Sequence, residues 1–185
     1  MPQFKNFVGH QSFAKKHAFD IGCGTGNYLA FLKGLGFRTD GIDSSETAVA
    51  MTKEAIGNNA NILCADMFDF KIPKDTYDFI FSVSTLHHGP KDKVKNSITN
   101  IHEALLHGGS VFITLPDIQY AKRWDTFKGS KEIQSGTYIP IVGPEKGALH
   151  SFFSEREIDL MFGGFASVAK ELDSRGRWII TGKKS

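Results

Sequence analysis

Cysteine and proline are scarce in this chain, with two and six among 185 residues, and its basic side chains outnumber its acidic ones by only two. Two cysteines cannot supply the disulfide framework of a small extracellular domain, and Cys23 and Cys64 are not spaced to hold a metal. Both are expected to be reduced thiols, and no metal site is expected. A formal charge of +2 argues against a polyanion-coating surface, and no run of like charges marks an acidic or basic tail. Long apolar runs are missing as well. Residues 1–16 are interrupted by Lys5, Asn6, His10 and Gln11, which leaves neither a secretory leader nor a membrane span, so a cytoplasmic protein without a membrane partner is expected. No internal repeat or low-complexity segment occurs. The length suits a single domain, residues 1–185, with enough interior for a core.

What is present is organised about Asp20-Ile21-Gly22-Cys23-Gly24-Thr25-Gly26-Asn27. Glycines on alternate positions, after an apolar run and before a helical pattern, describe a strand that turns sharply into a helix. Backbone without Cβ atoms lets a ligand approach the peptide units at the mouth of that helix, which favours a nucleotide-like ligand. A phosphate loop of the Walker type needs Lys and then Ser or Thr after the last glycine; Asn27-Tyr28 stands there instead. The dinucleotide fingerprint needs Gly or Ala three places after its second glycine, where this chain has Asn27 or Leu29 depending on the frame. The carboxylate of Asp20 would repel a pyrophosphate but suits a cationic ligand.

The remaining chain alternates strand and helix. Phe4, Phe7, Val8 and Phe13 are spaced as one helical face, so residues 1–16 form either a short helix over the site or a loose terminus. A helix from Gly26 turns Leu29, Leu32 and Leu35 inward and ends at Gly34 and Gly36. Residues 37–43 are a second strand closing on Asp43, 17 residues beyond Gly26, where a carboxylate can accept bonds from both ribose hydroxyls or can cap the helix that follows through Ser44-Ser45-Glu46. That helix is expected to bury Ala48, Met51 and Ala55. Residues 61–66 form a third buried strand ending in Asp66, either an acceptor for the exocyclic amino group of a base or a turn residue, with Met67 or Phe68 against the ring. The fourth strand, 77–83, is apolar almost throughout, as a strand covered on both faces should be, and Ser84-Thr85-Leu86-His87-His88 follows it. Val94, Ile98, Ile101 and Leu105 mark a helix closed by His107-Gly108-Gly109, and residues 110–115 a fifth strand. Such alternation specifies a doubly wound α/β sheet. Periodicity fails over 117–150, which is expected to be an irregular insertion on the substrate side. Ser154 and Glu157 form a capping box, and 165–172 with 177–183 an antiparallel closing pair.

These segments together resemble the class I S-adenosylmethionine-dependent methyltransferases. Residues 20–26 match the family's first motif, Asp43 its second-strand acid, and Ala65-Asp66 its third-strand acid. Tyr77-Asp78-Phe79-Ile80 with Leu86-His87-His88 is similar to the fourth-strand segment, and Glu103 to Gly109 to the turn before the fifth strand, with His107 where the family usually has proline. The N-terminal region is shorter than in many members. Residues 136–153 are loosely similar to the tellurite-resistance-type methyltransferases. The resemblance implies a mostly parallel, seven-stranded Rossmann-like sheet with an antiparallel last strand and S-adenosylmethionine as cofactor. It implies that Gly22, Gly24 and Gly26 lie against the methionyl part, Asp43 holds the ribose and Asp66 meets the adenine. Asp20, Cys23, Asn27, Ser44, Met67 and Ser82 complete the expected cofactor contacts. His87 or His88 is the candidate base or substrate contact, and Tyr138, Glu145 and His150 are candidate substrate-binding residues. A small-molecule acceptor is expected. RNA, including tRNA, is the alternative, through Lys122-Arg123-Trp124 with Lys128 and Lys131, as is a cofactor-binding regulatory protein without turnover.

Overall fold

The computed structural model describes residues 1–57, 60–121 and 129–185. Of the basic cluster considered for RNA, Lys122, Arg123, Trp124 and Lys128 lie outside the described residues, and Lys131 is exposed. A seven-stranded sheet runs in the order β3 (Ile62–Cys64), β2 (Arg38–Asp43), β1 (His17–Ile21), β4 (Tyr77–Ser82), β5 (Leu105–Pro116), β10 (Arg177–Lys183) and β9 (Ala166–Leu172). β1 to β5 pair in parallel, while β10 pairs antiparallel with both β5 and β9. This is the doubly wound, mostly parallel sheet with a reversed last strand. Every residue of β1 and β4 is buried, because helices cover both faces.

On one face, α1 (Pro2–Gly9), α2 (Asn27–Gly34) and α3 (Glu46–Ile56) pack over Phe79, Phe81, Phe112 and Ile179. On the other, α4 (Lys91–Ala104) and α6 (Glu155–Phe162) pack over Ile80, Val111, Ile113 and Ile180. The alternation of Phe79 and Phe81 with Ile80 along β4 is the strand period sending neighbours to opposite faces. α6 carries the expected capping box between Ser154 and Glu157.

The structure corrects several expectations. Residues 1–16 do contain a helix, but α1 lies on the sheet face, not over the ligand-binding end. Phe4 is fully buried, with ring centroids 4.7–6.3 Å from Tyr28, Phe31, Phe79, Phe81 and Phe112. The aromatic residues of β4 and β5 give that face an apolar surface that α1 covers. α3 buries Val49, Thr52 and Ile56 in place of Ala48, Met51 and Ala55, with Met51 46% exposed. A hydroxyl that bonds the glycine loop outweighs the hydropathy of Met51 in setting that face. Leu35 is exposed, since the helix has ended at Gly34. β3 is a three-residue edge strand with Leu63 and Cys64 exposed, not a buried one. Leu105 to Gly109 belong to β5, where the pairing with β4 bulges between Tyr77 and Phe79, instead of to the end of α4.

Among its described residues, the stretch 117–150 is not wholly irregular. It contains α5 (Ile118–Ala121) and a second, antiparallel sheet of β6 (Lys131–Gln134), β7 (Thr137–Ile139) and β8 (His150–Ser151). Gly136 turns the β6–β7 hairpin with φ +73. β8 is tied to the end of β4 by Ser151 N–H to the His87 carbonyl at 2.8 Å and Ser151 Oγ to the Gly89 carbonyl at 2.7 Å.

Because Phe4 fills an aromatic pocket, Phe4→Ala should destabilise the protein by about 3–5 kcal/mol in urea unfolding. A loss below about 1 kcal/mol, as at a freely moving terminus, would show that α1 is not part of the core.

Candidate active site

The glycine loop is held from two sides. Gly22 N–H and Cys23 N–H both donate to the Ile42 carbonyl, at 2.8 and 3.0 Å. Gly24 N–H donates to Asp43 Oδ2 at 2.9 Å, and Ser45 N–H to Asp43 Oδ1 at 3.0 Å. The Thr52 hydroxyl reaches back from α3 to the Gly24 carbonyl at 2.8 Å. Asp43 therefore binds the loop to the tip of β2 and to the start of α3, while Ser45 caps that helix with its own side chain. Each carboxylate oxygen keeps capacity for a further donor.

Gly22, Gly24 and Gly26 all have positive φ, at +79, +55 and +77. A Cβ on Gly22 would lie 2.1 Å from Thr85 Cγ2, and one on Gly26 about 3.0 Å from Thr52, whereas Gly24 faces open space. The outer two glycines are required by packing between elements and the middle one leaves its approach clear.

Outside this loop lies a cavity of about 500 Å³, at the carboxyl ends of the parallel strands. Of the residues expected from sequence, Gly22, Asp43, Ser44, Asp66, Met67 and His88 line it. Phe68, expected from sequence as the alternative to Met67 against the ring, lines it too; Thr85, Lys93 and Leu149 also line it and were not anticipated, and of these only Thr85, in the segment after the fourth strand, carried a positional signal. Asp66 is a turn residue, its Oδ1 accepting from Phe68 N–H at 2.7 Å, and it lines the cavity. Asp20 sits beneath the loop, 2% exposed, and its Oδ2 has no hydrogen-bond partner among the described residues. Burial first, and the nearby Asp43 second, push its pKa well above the ordinary carboxylate range.

Three expected contacts are placed elsewhere. The Cys23 thiol turns into the core beside Thr52 at 3.7 Å, and burial pushes its pKa up to about 12, so it is inert. Ser82 is fully buried and donates to the Ile21 carbonyl at 2.9 Å, fastening β4 to β1. Asn27 is exposed and bonds Thr25 Oγ1.

A second cavity, of about 260 Å³, adjoins the first through His88. Ser84, His87, His88, Thr114, Pro116, Glu145, Arg175 and Arg177 line it. Ser84 is held at φ +59, a costly conformation for a serine, with its N–H on Thr114 Oγ1 at 2.7 Å and its Oγ accepting from Arg177 Nη1 at 2.9 Å. The sheet topology brings His150 to His87 and His88: the rings of His88 lie 4.2 Å from His87 and 4.5 Å from His150, centroid to centroid. Glu145 Oε2 is 3.6 Å from His150 Nε2. Tyr138 is not brought into either cavity; its ring packs edge-on against Phe152 and its hydroxyl engages Glu132. Burial lowers the pKa of all three histidines, that of His150 to about 4, and their mutual proximity pushes His87 and His150 further down. The three imidazoles are neutral at neutral pH.

Residues 18–109 match the family model described as a methyltransferase domain. No curated protein matches the chain. Among solved structures, an S-adenosylmethionine-dependent methyltransferase from Methanosarcina mazei is 16% identical, with a TM-score of 0.75, covering 97% of this chain and 96% of its own. One from Mesorhizobium loti is 16% identical with a TM-score of 0.77 and covers 100% and 98%. The 1,6-didemethyltoxoflavin-N1-methyltransferase of Burkholderia thailandensis, with bound 1,6-didemethyltoxoflavin and S-adenosylhomocysteine, is 16% identical with a TM-score of 0.69 and covers 100% and 76%. The likeness in structure establishes the fold, and the matched model a methyltransferase domain over residues 18–109. Together they support an S-adenosylmethionine-dependent methyltransferase, consistent with the class I family.

Among the described residues, no helix is long and apolar enough to cross a membrane.

Asp20 has a folded-state pKa raised above its unfolded value, so its contribution to stability is full at low pH and is lost as pH rises through the folded pKa. The ligand-free Asp20→Asn protein should therefore melt higher than wild type at neutral pH, with the difference shrinking as pH falls. Calorimetric melts across pH check this, and equal melting temperatures at neutral pH would show that the carboxylate carries no such cost.

Proposed function

We propose that this methyltransferase acts, as a single domain in the cytoplasm, on a small-molecule acceptor that occupies the 260 Å³ cavity, with its cofactor in the 500 Å³ cavity. The observation that carries the reading is the junction of the two cavities at His88, which puts a small second cavity beside the one that the glycine loop borders. A chamber of that volume suits a compact molecule better than a polynucleotide. The Burkholderia thailandensis neighbour, which binds 1,6-didemethyltoxoflavin, gives a precedent for a small acceptor on this fold. The free thiols of Cys23 and Cys64 support a reducing compartment.

The residues present fit the cofactor. S-adenosylmethionine, when bound, supplies a methyl group on a sulfonium for in-line displacement. Asp43, with lone pairs to spare, would accept from the ribose hydroxyls, and Asp66 from the adenine amino group, with Met67 and Phe68 against the ring. Gly24 leaves its backbone open to the methionyl part. The buried, unpartnered Asp20 oxygen offers a counter-charge to the cationic end of that ligand. The protein's contribution to rate is then chiefly positioning in a water-poor chamber. His88, on the wall between the cavities, is best placed to touch the acceptor and to take a proton if one is released. His87 and His150 are weak bases, since their pKa values lie far below neutrality. Arg175 and Arg177 on the far wall would favour an acceptor bearing an anionic group.

Titration with S-adenosylhomocysteine and separately with NAD tests the cofactor site: micromolar binding of the first and none of the second is expected. Asp43→Ala should weaken S-adenosylhomocysteine by about 1–3 kcal/mol, and unchanged affinity would remove Asp43 from the site. Methyl transfer from labelled cofactor to a small-molecule panel but not to total RNA is the expected outcome for the acceptor. Label entering RNA alone would overturn the small-molecule reading.

A further inference from the structure

We propose that His87, His88 and His150 form a site for one divalent transition-metal ion of the zinc type, at the junction of the two cavities. One ring nitrogen from each residue can be chosen so that all lie within 4.8 Å of one another. A tetrahedral site with zinc–nitrogen bonds of about 2.0–2.1 Å has nitrogens roughly 3.3 Å apart, so the ring nitrogens would have to draw together by up to about 1.5 Å to close on an ion. Imidazole is the commonest protein ligand for such ions.

Two further observations favour a bound ion over a chance grouping. His87 is buried, and its Nδ1 has no hydrogen-bond partner among the described residues, in a structure that otherwise satisfies most of its interior polar atoms. His88 already uses one side of its ring on the Leu149 backbone, the outer contact that fixes the orientation of metal-bound imidazoles. The Glu145 carboxylate, 3.6 Å from His150 Nε2, is within reach as an oxygen ligand or an outer partner. The grouping is also rigidly built. Ser151 bonds both the His87 and Gly89 carbonyls, and its hydroxyl shares a 2.9 Å hydrogen bond with Thr137, so β8 and the segment after β4 cannot separate without breaking these bonds.

Three histidines leave one position of a tetrahedral ion open, the arrangement of catalytic rather than structural sites. His87 and His88 both border the 260 Å³ cavity, so that position would face it. What the ion would do there, hold a donor atom of the acceptor, rests on the reading of that cavity as the acceptor site; whether it binds does not.

Metal-stripped full-length protein is titrated with zinc chloride in a calorimeter, alongside a titration with S-adenosylhomocysteine. One equivalent of zinc should bind at micromolar concentration or tighter. His88→Ala and His150→Ala should each weaken it at least about a hundredfold, the upper end of what losing even an outer partner costs, while His10→Ala, just past the end of α1, should leave it unchanged. If His150→Ala does not give a cooperative melt, His88→Ala, on the cavity wall, decides alone. No zinc binding by folded wild type, or zinc binding undiminished in His88→Ala, overturns the metal site. S-adenosylhomocysteine bound without zinc leaves the methyltransferase reading standing while the metal site falls. Zinc bound through His88 without S-adenosylhomocysteine upholds the metal site and counts against the cofactor cavity.

Discussion

The carboxylate of Asp43 is the constraint on which the ligand-binding end of the sheet depends. Its two oxygens accept from backbone groups of two separate segments, the Gly24 peptide in the loop after β1 and the Ser45 peptide at the head of α3. Together with the Ile42 carbonyl, which takes both Gly22 and Cys23 N–H, it fixes the loop against β2. Thr52 closes the arrangement from the helix side through the Gly24 carbonyl. A loop of alternating glycines would otherwise be costly to order, because glycine loses more backbone entropy than any other residue on folding. Charge-assisted bonds to peptide N–H groups are the stronger kind, and here they offset that cost at the place where an open backbone is needed.

The same arrangement separates what could be foreseen from residues alone from what could not. The glycine loop, the acids closing β2 and β3, the apolar fourth strand and the antiparallel closing pair follow from local chemistry: turn residues, strand period and capping signals. The face buried by α3 does not. Ala48, Met51 and Ala55 make the more apolar stripe, but Thr52 is drawn inward by a hydrogen-bond acceptor supplied 28 residues earlier, and Val49 and Ile56 follow it. The hairpin of β6 and β7 hid within 117–150 because its strands are short and half exposed, and such strands leave no alternation long enough to count. The histidine grouping was least visible of all. His87 and His88 lie in the turn after β4 and His150 on β8 of the second sheet, and the bonds from Ser151 to the His87 and Gly89 carbonyls bring them together.

Asp20 and the histidines illustrate opposite ways of keeping a polar group in a dry site. Asp20 is buried without a hydrogen bond to Oδ2 and beside a second acid, so its charged form is held at a cost that a cation can relieve. The histidines avoid the cost by staying neutral. A neutral imidazole keeps an unprotonated ring nitrogen, and with it a lone pair to offer. The Asp20 side of the junction thus favours positive charge while the histidine side offers electron pairs.

That polarity bears on how transfer can be arranged across His88. In-line displacement needs donor sulfur, methyl and acceptor atom on one line, and on the proposed reading that line would pass from the glycine loop into the second cavity. Gly22 and Thr85 stand on the first side of it and His88 on the boundary. Thr85 is itself seated by the absence of a side chain on Gly22, where a Cβ would overlap it at 2.1 Å. Ser84, strained at φ +59 and held by Thr114 and Arg177, sets the direction in which the chain enters Thr85-Leu86-His87-His88. The loop glycine and the strained serine therefore act on one segment, and the course of the chain from Ser84 to His88 is set by backbone geometry.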